Sequence, residues 1–422
     1  MTPKIISVDD HVLEPGDLWT SRLPARFAAA APVLQRVRGR FGTGPRGAWE
    51  QTDDGGWADV WHFDGKQAAI LPGFAAAGKD QNWLGAHWDP MLYDDIRPGC
   101  FEQSARLADM DANHTEASLA FPTFPRFCGQ TFHECADREL GLACIRVYND
   151  WMIDEWCGGA GHGRLIPLTL IPLWDPELAA AEVRRCAAKG SYAVAFSENP
   201  TRLRLPSIHT GHWDPLFAAC EESGTVVNLH IGSSSTFPVT SPDAPRAVSL
   251  ALTYQGAAHA FCDWLTSGLL ERFATLKVAL SEGQVGWMPY LLERLDQVWN
   301  ERPVYGNVEN LITRPPSSYL ADRLYGCVYD DVAGLLQRDV IGIRQIMFEV
   351  DYPHGDSTWP HSLAVLEKTV AQAGLSDEET WLLARGNAIR CYGLERFGLT
   401  DGRDIDGPES AAGHLDEGVA VR

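Results

Sequence analysis

Ile5-Ile6-Ser7-Val8-Asp9-Asp10-His11-Val12-Leu13-Glu14-Pro15 runs from a β-branched stretch into a carboxylate and an imidazole two positions apart. Such a stretch forms a short buried strand. Residues two apart on an extended chain face the same side, so Asp9 and His11 converge on one point. A carboxylate oxygen and an imidazole nitrogen at the end of a rigid strand are good ligands for a divalent ion. An Asp capping a turn beside a surface His would give the same tripeptide. The decision therefore rests on how the later strands end.

Seven more apolar segments follow, at 117–122, 165–170, 192–196, 225–230, 276–282, 327–329 and 345–351. Helical patterns separate them, at 102–111, 140–156, 175–188, 213–223, 254–273 and 286–300, with two more at 361–373 and 377–392 closing the array. Asp175-Pro176 and Ser223-Gly224 stand where a helix start and a helix stop require them. Eight short strands alternating with helices predict one parallel (β/α)8 TIM barrel over residues 1–398. A doubly wound open sheet is the alternative, but it lacks a phosphate loop, because Gly158-Gly159-Ala160-Gly161 follows a helix and not a strand.

Between the first two strands, residues 19–99 show no clean period and are rich in Gly, Pro, Ala and Trp. A segment this long is rarely structureless inside a domain. It is expected to be an insertion that folds over the site as a lid or makes a subunit contact. Residues 399–422, rich in Gly and acidic groups, are expected to form a flexible tail.

The chain has 422 residues, enough to bury a large core, and a formal net charge of −21. That charge repels phosphate backbones and anionic lipid, so neither nucleic acid nor membrane is an expected partner. The ten Cys show no CxxC pair and read as reduced thiols of a cytoplasmic protein. Met1-Thr2-Pro3-Lys4 leads directly into the first strand with no signal sequence, and no apolar run reaches the roughly 20 residues a membrane span needs.

In a (β/α)8 barrel the functional groups sit at the C-terminal ends of the strands. The polar residues there are Asp9 and His11 on the first strand, His230 on the fifth, Glu282 on the sixth and Asp351 on the eighth. Each has an ordinary structural alternative, but several coinciding in one fold are improbable. Two carboxylates and two imidazoles suit a single Zn²⁺ or Mn²⁺ with a position left open. Asp351 could bind the ion and also shuttle a proton.

Asp9-Asp10-His11 with Glu14-Pro15, Asn228-Leu229-His230-Ile231-Gly232-Ser233-Ser234, and Asp351-Tyr352-Pro353-His354 followed by Ser357-Thr358-Trp359-Pro360 resemble the amidohydrolase superfamily. More narrowly they resemble its branch related to aminocarboxymuconate-semialdehyde decarboxylase and γ-resorcylate decarboxylase. The likeness extends to Arg106-Leu107-Ala108-Asp109-Met110-Asp111 and Gly386-Asn387-Ala388. It implies a mononuclear metal centre held by Asp9, His11, His230 and Asp351, and a homodimer. The chain departs from the related decarboxylases on strand six, where they carry His-x-Gly and this sequence reads Ser281-Glu282-Gly283.

The expected activity is non-oxidative decarboxylation of a small aromatic or unsaturated carboxylic acid, with Asp351, His354 and Glu282 as catalytic residues. Hydrolysis of an amide, lactone or imine is the alternative, and a non-catalytic binding barrel a third. In the insertion, Trp61, His62, Phe63, Asp64 and Lys66 are candidates to touch substrate, with Lys66 or Arg97 holding its carboxylate, although surface packing explains them as well.

Overall fold

In the computed structural model of the chain, residues 2–42, 48–79, 89–301 and 311–400 are described. The first strand, β1 (Ile5–Val12), is buried along its whole length. It is followed by an antiparallel group, β2 (Val33–Phe41), β3 (Trp49–Gln51), β4 (Gly56–Phe63) and β5 (Lys66–Ala69). Then come β6 (Thr115–Pro122), β7 (Leu165–Ile166), β8 (Leu168–Thr169), β9 (Ala193–Ser197), β10 (Val226–His230), β11 (Val278–Ser281), β12 (Leu324–Val328) and β13 (Ile346–Phe348).

The parallel strands order as β1-β6-β7 and β13-β12-β11-β10-β9-β8. Pro167 divides β7 from β8. With no N–H it cannot donate to a ladder, so what the sequence presents as one strand at 165–170 pairs as two halves, one with β6 and one with β9. The other seam closes just past β13. Asp351 N donates to Asp9 O at 2.8 Å, and His11 N donates to Tyr352 O at 2.6 Å. The eight expected strands thus form a (β/α)8 barrel, and its closing hydrogen bonds are made by the backbone of candidate site residues.

Burial holds β1 in place. Ile5, Ile6, Val8 and Val12 are all essentially inaccessible, each contributing about 1.5–3 kcal/mol relative to exposure. Asp175 caps the helix Pro176–Ala188, accepting from Glu177 N and Leu178 N at 3.0 Å. The helix expected at 254–273 is two, Gln255–Thr266 and Leu269–Arg272, broken where Gly268 takes φ +75°. The seventh barrel strand starts at Leu324, earlier than the expected 327.

The larger difference lies in residues 19–99. Where no period was expected, β2 pairs antiparallel with β4 from Val33↔His62 to Gly39↔Gly56, and β3 and β5 flank them. This sheet packs on the end of β6. Trp61 stacks on Phe124 with ring centroids 4.7 Å apart and meets Trp19 edge-on at 5.2 Å. Of the expected tail, Leu399 is buried and residues from 401 onward lie outside the described residues. No helix among the described residues is long and apolar enough to cross a membrane.

Candidate metal centre

Asp9 and His11 project from the end of β1, His230 is the last residue of β10, and Glu282 follows β11 directly. Asp351 and His354 lie just beyond β13. Glu282 and Asp351 both take left-handed backbone conformations, with φ +55° and +61°. Non-glycine residues rarely do so, and the turn re-aims each carboxylate where a continuing strand would carry it away. Backbone bonds hold both in place: Glu282 N donates to Glu349 Oε2, and Asp351 N to Asp9 O.

The six side chains meet. His11 Nε2 lies 3.2 Å from Asp351 Oδ1, 3.6 Å from Asp9 Oδ1 and 3.2 Å from His230 Nε2. His230 Nε2 is 3.5 Å from Asp9 Oδ2 and 3.6 Å from Glu282 Oε2. His354 Nδ1 is 2.9 Å from Asp351 Oδ1 and 3.8 Å from Glu282 Oε1. His230 Nδ1 donates to Ile231 O at 2.6 Å, which leaves a bare lone pair on Nε2 in the neutral ring. That lone pair points at His11 Nε2. Two facing imidazole nitrogens are an arrangement that a shared cation satisfies.

Burial is nearly complete, with Asp9 and Asp351 at 0% exposure. Among the described residues no donor makes a well-aligned hydrogen bond to any of their four carboxylate oxygens. Buried polar atoms normally find partners, so these are the atoms a divalent ion would use. The electrostatics agree. Burial, with Glu349 and Glu282 nearby, pushes Asp9 well above the usual carboxylate range. Burial and Glu282 do the same to Asp351. Burial lowers both His11 and His230, favouring the neutral rings that can ligate, although Glu282 pulls His230 the other way. Burial opposes ionisation of Glu282 as well, but His230 and His354 together outweigh it and bring it down to about 2.

Buried side chains around the cluster fix its backbone. Asp10 accepts from Ser7 Oγ, Ser118 Oγ and Tyr352 N. The fully buried Arg106 donates to His11 O at 2.5 Å and to Gly99 O, with its guanidinium 4.3 Å from the Tyr352 ring. Glu198, just past β9, accepts from Gly232 N at 3.0 Å and Ser234 Oγ at 2.7 Å, tying down the loop that follows His230. All of its contacts fall on Oε1, and burial lifts the group to about 7. Phe127 stacks on His230 at 4.1 Å, and Phe74 stacks on His354 at 4.9 Å.

The insertion candidates divide. Trp61, Phe63, Asp64 and Lys66 line a cavity next to the cluster, whereas His62 does not. Lys66 is paired with Glu134 at 2.7 Å, and Arg97 makes a two-pronged contact with Asp109 at 2.5 and 2.7 Å. Both cations are therefore already paired with carboxylates of the chain itself. Sequence reasoning passed over Glu198, Phe74 and Phe127. Ser197-Glu198 carried a readable signal, a carboxylate just past a strand end as at Asp351. The two Phe positions are set by tertiary packing alone.

The family model described as amidohydrolase matches residues 57–394. Among solved structures, the chain is similar to an amidohydrolase of Mycobacterium avium subsp. paratuberculosis, at TM-score 0.68 and 22% identity, covering 93% of this chain and 100% of that one. It is also similar to a 5-carboxyvanillate decarboxylase of Novosphingobium aromaticivorans complexed with manganese and 4-hydroxy-3-methoxy-5-nitrobenzoic acid, at TM-score 0.59 and 17% identity, covering 93% and 96%. A 2,6-dihydroxybenzoate decarboxylase of Rhizobium matches at TM-score 0.57 and 17% identity, covering 94% and 100%.

Proposed function

The chain belongs to the amidohydrolase family, and from that premise we propose that it is a metal-dependent decarboxylase of small aromatic or unsaturated carboxylic acids. The observation that carries this reading is the buried cluster in which Asp9 and Asp351 face His11 and His230 with no hydrogen-bond donor aligned on their oxygens. Asp9, His11, His230 and Asp351 would hold one divalent ion, Zn²⁺ or Mn²⁺, which when bound would chelate the substrate carboxylate and an adjacent oxygen.

Asp351 is the proton donor. With one oxygen on the ion, its other oxygen can take a proton from His354 and deliver it to the carbon that bears the carboxylate. As CO₂ leaves, the electron pair of the broken C–C bond returns to the ring or conjugated system. His354 Nδ1, 2.9 Å from Asp351 Oδ1, replaces the proton. Glu282 stays ionised and orients His354 and His230. Phe74, Phe127 and the antiparallel sheet keep water from the reacting carbon, the role proposed for the 19–99 insertion. A homodimer built through that insertion is part of the same proposal, and sedimentation would test it.

A hydrolytic reading is favoured by one feature, Glu282 in the position where the related decarboxylases carry His. Incubation with a panel of hydroxylated aromatic acids in H₂¹⁸O separates the two. CO₂ release with no label in the organic product supports decarboxylation. Label in the product of an amide or lactone, with no CO₂ from any acid, overturns it.

A further inference from the structure

Beside the cluster lies a cavity of about 290 Å³, walled by Leu13, Trp61, Ile70, Phe74, Tyr93 and Phe124. The volume sits at the lower end of small-molecule sites, roughly 300–1,000 Å³. One aromatic ring separates the cavity from the cluster: Phe74 lines it and also stacks on His354, which in turn stacks on His11 at 3.7 Å. The Phe74 segment is bonded to the loop that carries His354. Gly355 N donates to Gly73 O, and both Ala76 N and Ala77 N donate to Pro353 O. The partition and the candidate proton relay are therefore mechanically linked.

Most polar groups of the cavity are already used. Glu134 at the rim takes Lys66 on one oxygen and Arg126 on the other. The Glu14 carboxylate accepts from Thr123 N at 3.0 Å and Phe124 N at 2.9 Å. Asp64 accepts from Ala136 N. What the cavity offers a ligand is chiefly apolar and aromatic surface, with Lys66 and Arg126 both paired to Glu134 and Arg126 Nε left as a single spare donor.

We propose that this cavity is a second subsite that takes an uncharged apolar arm of the substrate, about the size of one ring, with Phe74 as the hinge between arm and reacting carboxylate. The enzyme would then prefer carboxylic acids that carry a phenyl or short alkyl substituent over the bare single-ring acids. This substrate preference rests on the decarboxylase reading, while the existence of the subsite does not.

The test uses 6-bromo-2-naphthol as an uncharged probe, followed by calorimetry and by the anomalous signal of bromine in a soaked crystal. Binding at one equivalent is expected, with bromine between Trp61 and Phe74. Ala69→Phe fills the wall and should weaken binding at least tenfold. Ala68→Phe serves as a second wall variant if the first fails to fold. No saturable binding, bromine elsewhere, or wild-type affinity in a folded wall variant overturns the subsite.

Turnover is scored separately, on salicylate against 4-phenylsalicylate. A kcat/KM at least tenfold higher for the phenyl compound is expected, and equal values overturn the preference. Probe binding in the cavity without CO₂ from any acid would leave the subsite standing and sink the decarboxylase reading instead.

Discussion

The barrel mouth and the antiparallel sheet beside it handle charge in opposite ways. In the sheet, Arg36 grips Asp59 at 2.9 Å and Asp94 at 2.9 Å, and Lys66 meets Glu134, so these charges have opposite ones within reach. At the mouth, Asp9, Glu282, Glu349 and Asp351 crowd together with no Lys or Arg pairing any of them among the described residues. Buried like charges are costly unless something compensates them.

The contrast is broken most severely at Asp351. Asp351→Asn keeps the shape and removes the proton, so CO₂ release should fall on the order of 10³-fold or more with the circular dichroism spectrum unchanged. A variant with more than a tenth of wild-type turnover would show that the proton comes from elsewhere. Next come the other proposed ligands. Asp9→Ala or His230→Ala should weaken divalent-ion affinity by about 100-fold or more, read as metal per chain after dialysis. Wild-type protein at 100 times its Kd for the ion should gain about 2.7 kcal/mol in stability, and these variants should gain far less.

Glu198 sharpens the comparison by a smaller amount. Its pKa rises from 4.5 to about 7 through burial, so between those values the folded state holds a proton that the unfolded state has lost. Stability therefore falls as pH rises from about 4.5 to about 7 and levels off above, by roughly 3 kcal/mol at most. All three of its hydrogen bonds fall on Oε1, so the carbonyl of Glu198→Gln can keep them. The variant should match wild type near pH 5 and exceed it near pH 8 in urea unfolding. An unchanged pH profile would refute this account of Glu198. Smallest of all is Arg36→Ala on the sheet: its guanidinium is half-exposed and Asp59 keeps the hydrogen bond from Tyr93 N, so the melting midpoint should shift by under about 3 °C with CO₂ release unaltered.

The sequence revealed the barrel because its strands are buried on both faces and read as plain apolar runs, as Val226 to His230 does. The cluster was legible for a related reason, since a charged residue ending such a run has nowhere to point except the mouth. The antiparallel sheet escaped notice although β2 alternates, with Arg36, Arg38 and Arg40 on one face and Val37, Gly39 and Phe41 on the other. Its half-exposed face and the surrounding Gly and Pro masked a period of two. The break at Pro167 was foreshadowed by the proline itself. That Phe74 covers His354 depends on two segments meeting across the fold, which no local pattern encodes.

The seam where the cylinder shuts has a further consequence. Asp10 accepts from the N–H of Tyr352, a residue 342 positions downstream, within the ring of contacts that assembles the cluster. Polypeptide loops of that length close late and slowly, after local helices and neighbouring strands are in place. If the proposed ligand set holds, catalytic competence is therefore a readout of finished folding: a chain missing its last stave, or stalled before its two ends meet, would split the proposed ligands across a gap and would neither retain the ion nor act on a substrate.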